Sequence, residues 1–171
     1  MDDLKDVPTT SGVYRLIDLD GDIAYVGRSS NLRSRLRQHF IRQDSSVVSY
    51  GRLDIWDIDR IEWWETDQDV QAEKDLIQKF KPYLNFEDGE GLSVESKTIA
   101  IDEPDGICQI LSDEERKFRE RPYNRAKQKI EHLNRMIDKI KLADHSEDTR
   151  KTVRKHQEIL EEAMDQFLRT D

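Results

Sequence analysis

The 171-residue chain predicts an α+β fold, in which a small mixed α/β domain with a short, mainly antiparallel sheet flanked by helices precedes a C-terminal α-helical hairpin. Segments rich in β-branched and aromatic residues alternate with helical patterns up to about residue 90. The last third, by contrast, has no glycine and a single proline. We therefore expect a mixed domain over 1–90, a linker over 91–111 with room for a short strand around 97–101, and a helical hairpin over 112–171.

The first two strands are predicted on either side of the pair Asp20-Gly21, which between β-forming segments is a strong hairpin signal. A two-residue turn sets Tyr14 opposite Gly27. Tyr14 and Tyr25 then project from the same face as diagonal neighbours, with open space beside Tyr14. The predicted strands lie at 12–18, 23–26 and 58–65.

The first helix is predicted to begin after Asn31, a residue suited to the N-cap, and to run to about residue 42. Its apolar stripe recurs every four residues, at Leu32, Leu36 and Phe40. Arg35 and His39, also four residues apart, are expected to share another face of this helix.

The second helix is predicted from a cap at Thr66 or Asp67 to about Lys81, where Pro82 ends it. Glu73 falls on what the spacing indicates is the core-facing stripe of this helix, formed by Val70, Glu73, Ile77 and Phe80. An unpaired buried carboxylate is unfavourable, so we expect Glu73 to have a partner. Arg35 and a divalent metal with oxygen ligands are both candidates.

The C-terminal hairpin has its own sequence signals. Ser112, followed three residues later by Glu115, has the form of a capping box, and 143–146 reads as a turn. A 3-4-3 spacing predicts a coiled-coil-like seam at Ile130, Leu133, Ile137 and Ile140. This seam can form a homodimer or pack on the chain's own first domain.

Composition excludes several classes of protein. No apolar run approaches the roughly 20 residues of a membrane span. The first residues, Met1 to Asp6, lack a basic region followed by an apolar stretch, so we expect no secretory signal. The single cysteine, Cys108, excludes an intramolecular disulfide framework and a thiolate-cluster zinc site. With charged residues at 38% and a mean hydropathy of −0.89, we expect a soluble cytoplasmic protein that makes no contact with membranes.

The net charge of −9 is unevenly distributed. Segment 28–42 holds five arginines, one histidine and no acid, and segment 116–129 holds seven basic residues against one acid. Asp-rich stretches such as 54–69 carry much of the negative charge. The two basic segments suit contact with phosphate, although a solvated charged face is the alternative for each.

Taken together, these motifs resemble those of the GIY-YIG nuclease superfamily. Gly12-Val13-Tyr14 and Tyr25-Val26-Gly27 resemble the two halves of its signature, with valine at each nominal isoleucine. The remaining family positions follow in order, at Arg35, His39, Glu73 and Asn85. The resemblance covers roughly 10–87 and looks closest to the N-terminal nuclease module of bacterial excision repair.

The resemblance implies that the chain hydrolyses DNA phosphodiester bonds with one Mg²⁺ or Mn²⁺ ion per site, cutting one strand at each active site. Glu73 would bind the metal, Arg35 would neutralise charge on the phosphoryl group, and Tyr14 would orient the attacking water or accept its proton. A base role would require a depressed pKa for Tyr14. The remaining candidates are Tyr25 and His39 for the hydrogen-bond network, Gly12, Gly27 and Asn85 for support, and Arg28, Arg33, Arg37 and Arg42 for nucleic-acid binding.

The sequence leaves three functional hypotheses open. The first is an endonuclease whose helical region serves dimerisation or DNA contact. The motif does not discriminate DNA from RNA, so RNA stays open as a substrate of this enzyme. The second is a non-catalytic nucleic-acid-binding or regulatory module that retains the fold. The third is a mainly structural protein whose hairpin assembles with a partner.

Overall fold

A computed structural model describes residues 3–49, 51–86, 99–100, 103–140 and 146–169. The strands are β1 (Gly12–Asp18), β2 (Ile23–Ser29), β3 (Ile58–Glu65) and β4 (Gly106–Gln109). The α-helices are α1 (Leu32–Arg37), α2 (Ser46–Ser49), α3 (Asp69–Phe80), α4 (Asp113–Arg119), α5 (Pro122–Ile140) and α6 (Glu147–Arg169). A π-helix spans Gln38–Arg42, and 3-10 helices span Asp3–Lys5 and Ile55–Asp57.

The four strands form one antiparallel sheet in the order β2-β1-β3-β4. The α+β prediction is therefore confirmed. Strand β4 lies in the segment expected to be a linker, whereas most of the expected strand around 97–101 lies outside the described residues. The two faces of the sheet pack against different helices: Tyr14 and Leu16 lie with α1, and Val13 and Val26 lie with α3.

The β1–β2 hairpin has the predicted register at the two candidate tyrosines, because Tyr14 is paired with Gly27 and Leu16 with Tyr25. The two-residue turn, however, is wrong. The strands stop at Asp18 and Ile23, and a register shift after Leu16 absorbs the difference. The Asp18 carboxylate accepts hydrogen bonds from the amides of Asp20 and Asp22, which stabilises this longer loop.

Helix α1 begins as predicted. The Asn31 side chain accepts a 2.9 Å hydrogen bond from the Ser34 amide, and the predicted apolar stripe is buried. After Arg37 the helix widens into the π-helix, which ends at Gln43 with a φ of 55°. Through this wide turn both His39 and Phe40 are buried, although they are neighbours in sequence.

Helix α3 differs from its prediction in two respects. It begins one to two residues later, after Gln68, and neither Thr66 nor Asp67 caps it. The predicted stripe is only partly correct. The fully buried positions are Ala72 and Leu76, while Ile77 and Phe80 pack against the same core as partly buried residues. The phase is set by packing against the sheet face that carries Trp64, which leaves Val70 exposed and Glu73 at the rim of the core. The helix ends, as expected, just before Pro82.

The C-terminal helices form the expected hairpin. The ring contacts His132–His156 and Tyr123–Phe167 run in opposite chain directions, so α5 and α6 are antiparallel. The predicted turn at 143–146 lies largely outside the described residues. The Ser112 hydroxyl accepts a hydrogen bond from the Glu115 amide at the start of α4, as predicted.

The apolar seam predicted for the hairpin is only partly correct. Leu133 is buried, together with Met136, whereas Ile130 and Ile137 are exposed. The reason is that α5 packs against the first domain as well as against α6. The buried face of α5 therefore carries polar groups that contact the first domain. Lys129 and His132 occupy positions on that face.

Much of the basic segment 116–129 is directed towards the Asp-rich stretch of the first domain. Lys129 Nζ lies 2.6 Å from the Asp57 carboxylate and 3.4 Å from that of Asp54. Arg116 forms an ion pair with Asp59. These contacts join helices α4 and α5 to the chain around β3, and they bring opposite charges together within the molecule. In the part of the chain that the structure describes, no helix is long and apolar enough to cross a membrane.

Candidate active site

A cavity of about 490 Å³ lies where β1, β2, α1 and α3 meet. All five side chains that the sequence nominated as catalytic contribute to its walls. The lining residues are Tyr14, Tyr25, Arg28, Ser29, Ser30, Arg35, His39, Ser46, Val47, Asp69 and Glu73.

Tyr14 lies at the buried end of this cavity, with its hydroxyl oxygen 2.6 Å from Nε2 of His39. The space above Gly27 is filled by Tyr14, because a Cβ atom on Gly27 would lie 2.5 Å from the tyrosine oxygen. Burial, reinforced by Tyr25, raises the pKa of Tyr14 well above its ordinary value, although Arg35 opposes the shift. Tyr14 is therefore a neutral phenol, and a base role would need positive charge beyond that of Arg35.

His39 is the hydrogen-bonding partner of Tyr14 and is itself buried in the π-helix. Burial and the nearby Arg35 guanidinium lower the pKa of His39 to about 3, so the imidazole is neutral at physiological pH. Its second nitrogen, Nδ1, lies 2.7 Å from Oγ of Ser45. Sequence reasoning missed Ser45, because the predicted helix stopped near residue 42 and nothing in the pattern relates this serine to His39.

The carboxylates of Asp69 and Glu73 lie one turn apart on α3 and share one cation. Nη1 of Arg28 lies 3.1 Å from Asp69, and Nε lies 3.1 Å from Glu73. The sequence offered Arg35 as a partner of Glu73, whereas the structure shows Arg28 in contact and Arg35 donating to Gln38. Asp69 was also missed, although its spacing of four residues from Glu73 was a readable signal.

The Asp69 and Glu73 carboxylates suit a divalent metal ion that keeps most of its hydration shell. Within the described residues, no group of three or more His, Cys, Asp or Glu side chains is arranged to hold a metal. Magnesium is commonly bound through one or two carboxylates plus water and substrate phosphate. Glu73, with Asp69 beside it, fits that pattern.

The supporting residues act on the backbone. The Asn85 amide group accepts from the Val26 N–H and donates to the Val26 carbonyl, both at 2.9 Å. Gly12 lies against Trp64 and Leu32, where a Cβ atom would collide with the Trp64 carbonyl oxygen. Both contacts hold the signature strands in place.

The four arginines nominated for nucleic-acid binding occupy different surroundings. Arg28 lines the cavity, and Arg37 is exposed. Arg33 donates to the carbonyl oxygens of Lys5 and Val7, which ties the N-terminal segment to α1. Arg42 lies 3.5 Å from the Asp44 carboxylate on the surface.

This constellation, on a hairpin that carries GVY and YVG, resembles the site expected of a GIY-YIG nuclease domain. Residues 10–86 match the model of the UvrC-like GIY-YIG domain in particular. This part of the chain is thus a GIY-YIG module that resembles the N-terminal region of the bacterial excision-repair nuclease, as the sequence indicated.

Curated relatives show the same similarity. The chain is 40% identical over 85 residues to UvrABC system protein C of Caldicellulosiruptor saccharolyticus, an alignment that covers 48% of this chain and 14% of the relative. It is 39% identical over 85 residues to that of Synechococcus sp., covering 48% and 13%. With the protein of Caldanaerobacter subterraneus it shares 33% over 106 residues, covering 59% and 17%. The matching part of the chain therefore covers only about one seventh of the length of these relatives.

Proposed function

We propose that this chain is an endonuclease that hydrolyses DNA phosphodiester bonds with a divalent metal, one strand at each active site. The observation that supports it most directly is the cavity itself, where a tyrosine–histidine pair, two arginines and two carboxylates converge on one space. The excision-repair relatives support DNA repair as the setting. The proposed location is the cytoplasm.

Glu73 and Asp69 are the residues that would hold the Mg²⁺ or Mn²⁺ ion. When bound, such an ion supplies Lewis-acid stabilisation of the leaving oxygen. Arg28 now neutralises both carboxylates. We infer that it turns towards substrate phosphate when another cation takes its place, which its half-exposed position allows.

Arg35 supplies positive charge from the α1 wall, where a phosphoryl group can accept hydrogen bonds from its guanidinium. Tyr14 holds the attacking water by its hydroxyl group. Nε2 of His39 lies 2.6 Å from the Tyr14 oxygen. If the neutral imidazole accepts the hydroxyl hydrogen, the lone pairs of the phenol oxygen are left free to accept from that water. Tyr25 packs edge-on against His39, with ring centroids 6.3 Å apart, and limits the ring's movement.

DNA affinity comes chiefly from the cavity arginines and the exposed Arg37. Arg116, Arg125 and Lys129 are already paired with carboxylates, so they contribute little to phosphate binding. A homodimer through the C-terminal helices stays a prediction, and double-strand cleavage would need two protomers or two binding events.

The test is nicking of supercoiled plasmid by the full chain with Mg²⁺, and with Mn²⁺ in parallel. Arg35→Ala and Glu73→Gln are each expected to reduce the nicking rate roughly 10²- to 10³-fold, the usual cost of removing one group that stabilises transition-state charge. Lys127→Ala, an exposed change on α5, which contributes no residue to the cavity wall, is the matched control and should cut normally. EDTA should abolish cleavage.

Two results would contradict the proposal. Undiminished cleavage by both cavity variants would remove the site assignment. Metal-independent DNA binding by gel shift, with no cleavage of plasmid, branched, single-stranded or damaged DNA in either metal, would favour the non-catalytic binding module. RNA in the same panel identifies the nucleic acid that is cut.

A further inference from the structure

Ser45 is a buried residue that lies outside the GIY-YIG motif positions. Its hydroxyl oxygen is 2.7 Å from Nδ1 of His39, on the opposite side of the imidazole from Tyr14. Ser45 is 5% exposed and His39 is 2% exposed, so water has little access to either contact. A neutral imidazole carries one hydrogen, and its location decides which ring nitrogen can accept.

Two arrangements of hydrogens satisfy these contacts. In one, Nδ1–H donates to Ser45 and Nε2 accepts from Tyr14. In the other, Ser45 donates to Nδ1 and Nε2–H donates to Tyr14. A phenol is a stronger donor and a weaker acceptor than an aliphatic hydroxyl, because its hydroxyl is the more acidic. The first arrangement therefore pairs each hydroxyl with its better role.

We propose that Ser45 is a positioning residue, whose hydroxyl keeps the His39 hydrogen on Nδ1 so that Nε2 accepts from Tyr14. The proposal rests on the proposed function for its catalytic meaning. In the other arrangement Tyr14 would have to direct its own hydrogen into the cavity, where the attacking water needs an acceptor.

The backbone around Ser45 is built to keep it in place. The Ser45 carbonyl accepts from the amides of Val48 and Ser49 at the start of α2. Residues just beyond are held by the C-terminal hairpin, since the carbonyl oxygens of Gly51 and Arg52 lie 3.0 and 2.9 Å from histidine nitrogens of α5 and α6. The hairpin thus braces the segment that supplies the Ser45 hydroxyl.

The first measurement is the tautomer of His39, read from the ¹⁵N shifts of its two ring nitrogens by NMR in the full chain. We expect the Nδ1–H form in the unmodified protein and its loss in Ser45→Ala, with retention in Ser45→Thr, which keeps the hydroxyl. Ser49→Ala is the matched control, because Ser49 is exposed and its hydroxyl donates to the Ser46 carbonyl within α2, and it should leave the tautomer unchanged.

The second measurement is plasmid nicking by the same variants. Ser45→Ala should lower kcat roughly ten- to hundred-fold with KM nearly unchanged, the scale typical of losing a histidine's orienting partner. An Nε2–H tautomer in the unmodified protein, or an unchanged Nδ1–H tautomer in Ser45→Ala, would overturn the proposal. The spectrum of the unmodified protein decides the matter if Ser45→Ala fails to fold. If the chain cuts no nucleic acid, the proposed function fails, and the tautomer still decides the role of Ser45.

Discussion

Replacing Lys129 by methionine tests the contact between the hairpin and the first domain. Lys129 is 1% exposed, and its ammonium group lies between the carboxylates of Asp57 and Asp54. Burial alone would lower the pKa of Lys129, but the two carboxylates outweigh it and hold the pKa above its ordinary value. The lysine is therefore charged, and Lys129→Met leaves two buried carboxylates without their main cation.

The cost can be placed within a narrow range. Removing one member of a buried ion pair typically costs about 3–5 kcal/mol. The lower end applies here, because Arg125 remains 3.5 Å from Asp57 and compensates part of its charge. A loss of about 3 kcal/mol corresponds to a fall in Tm of roughly 6–12 °C in a chain of this size.

Urea unfolding of the full chain, followed by two probes, measures this loss. Trp56, Trp63 and Trp64 are the only tryptophans and all lie in the first domain, so their fluorescence reports that domain. Circular dichroism at 222 nm is dominated by the long helices α5 and α6. We expect Lys129→Met to lower the midpoint, with the helical signal lost first if the hairpin detaches. Lys127→Met, exposed on the same helix, should stay within about 0.5 kcal/mol of the original protein. Equal midpoints for the two variants would refute the reasoning.

Two further perturbations give distinct readouts. Gly27→Ala would place a methyl group 2.5 Å from the Tyr14 oxygen, so it should displace Tyr14 from His39. We expect it to lower the unfolding free energy by about 1–3 kcal/mol and to reduce plasmid nicking sharply. Normal nicking would contradict this close contact. Burial, with the neighbouring His132, lowers the pKa of His156 to about 3, below its ordinary 6.5, so the folded state binds fewer protons than the unfolded state between these values. Its contribution to stability is complete above about pH 6.5 and is lost as the pH falls towards 3, at up to about 1.4 kcal/mol per pH unit. His156→Gln should therefore flatten the decline in urea midpoint between pH 7 and pH 5, and an unchanged decline would count against the shift.

Local sequence signals predicted the hairpin register, the Asn31 cap and the third strand well. Each of these features depends on neighbours within a few residues or on one turn. The interactions that determine it are therefore visible in the local sequence. Strand β3 follows its prediction at both ends, Ile58 and Glu65. The five nominated catalytic residues line one cavity because two short motifs and two helix faces fix their positions.

Features that depend on distant partners were predicted poorly. The phase of α3 is set by packing on the sheet around Trp64, which periodicity alone does not reveal. The basic segment 116–129 looked like a surface for phosphate, but several of its cations meet carboxylates more than 50 residues away in sequence. Ser45 reaches His39 only because a π-helix ends the α1 segment.

The segment after α3 has a consequence for the free edge of the sheet. The amides of Tyr83 and Leu84 donate to the carbonyl oxygens of Ile23 and Ala24, and the Asn85 side chain serves both backbone groups of Val26. An unprotected outer strand is a template for pairing with other chains, and proteins commonly cover such strands. Here a short irregular stretch and one amide side chain occupy the hydrogen-bonding positions that another strand would use. Asn85 thereby prevents another chain from pairing with the signature strand β2. Loss of the Asn85 side chain would therefore lead to aggregation as well as to a misplaced Tyr25.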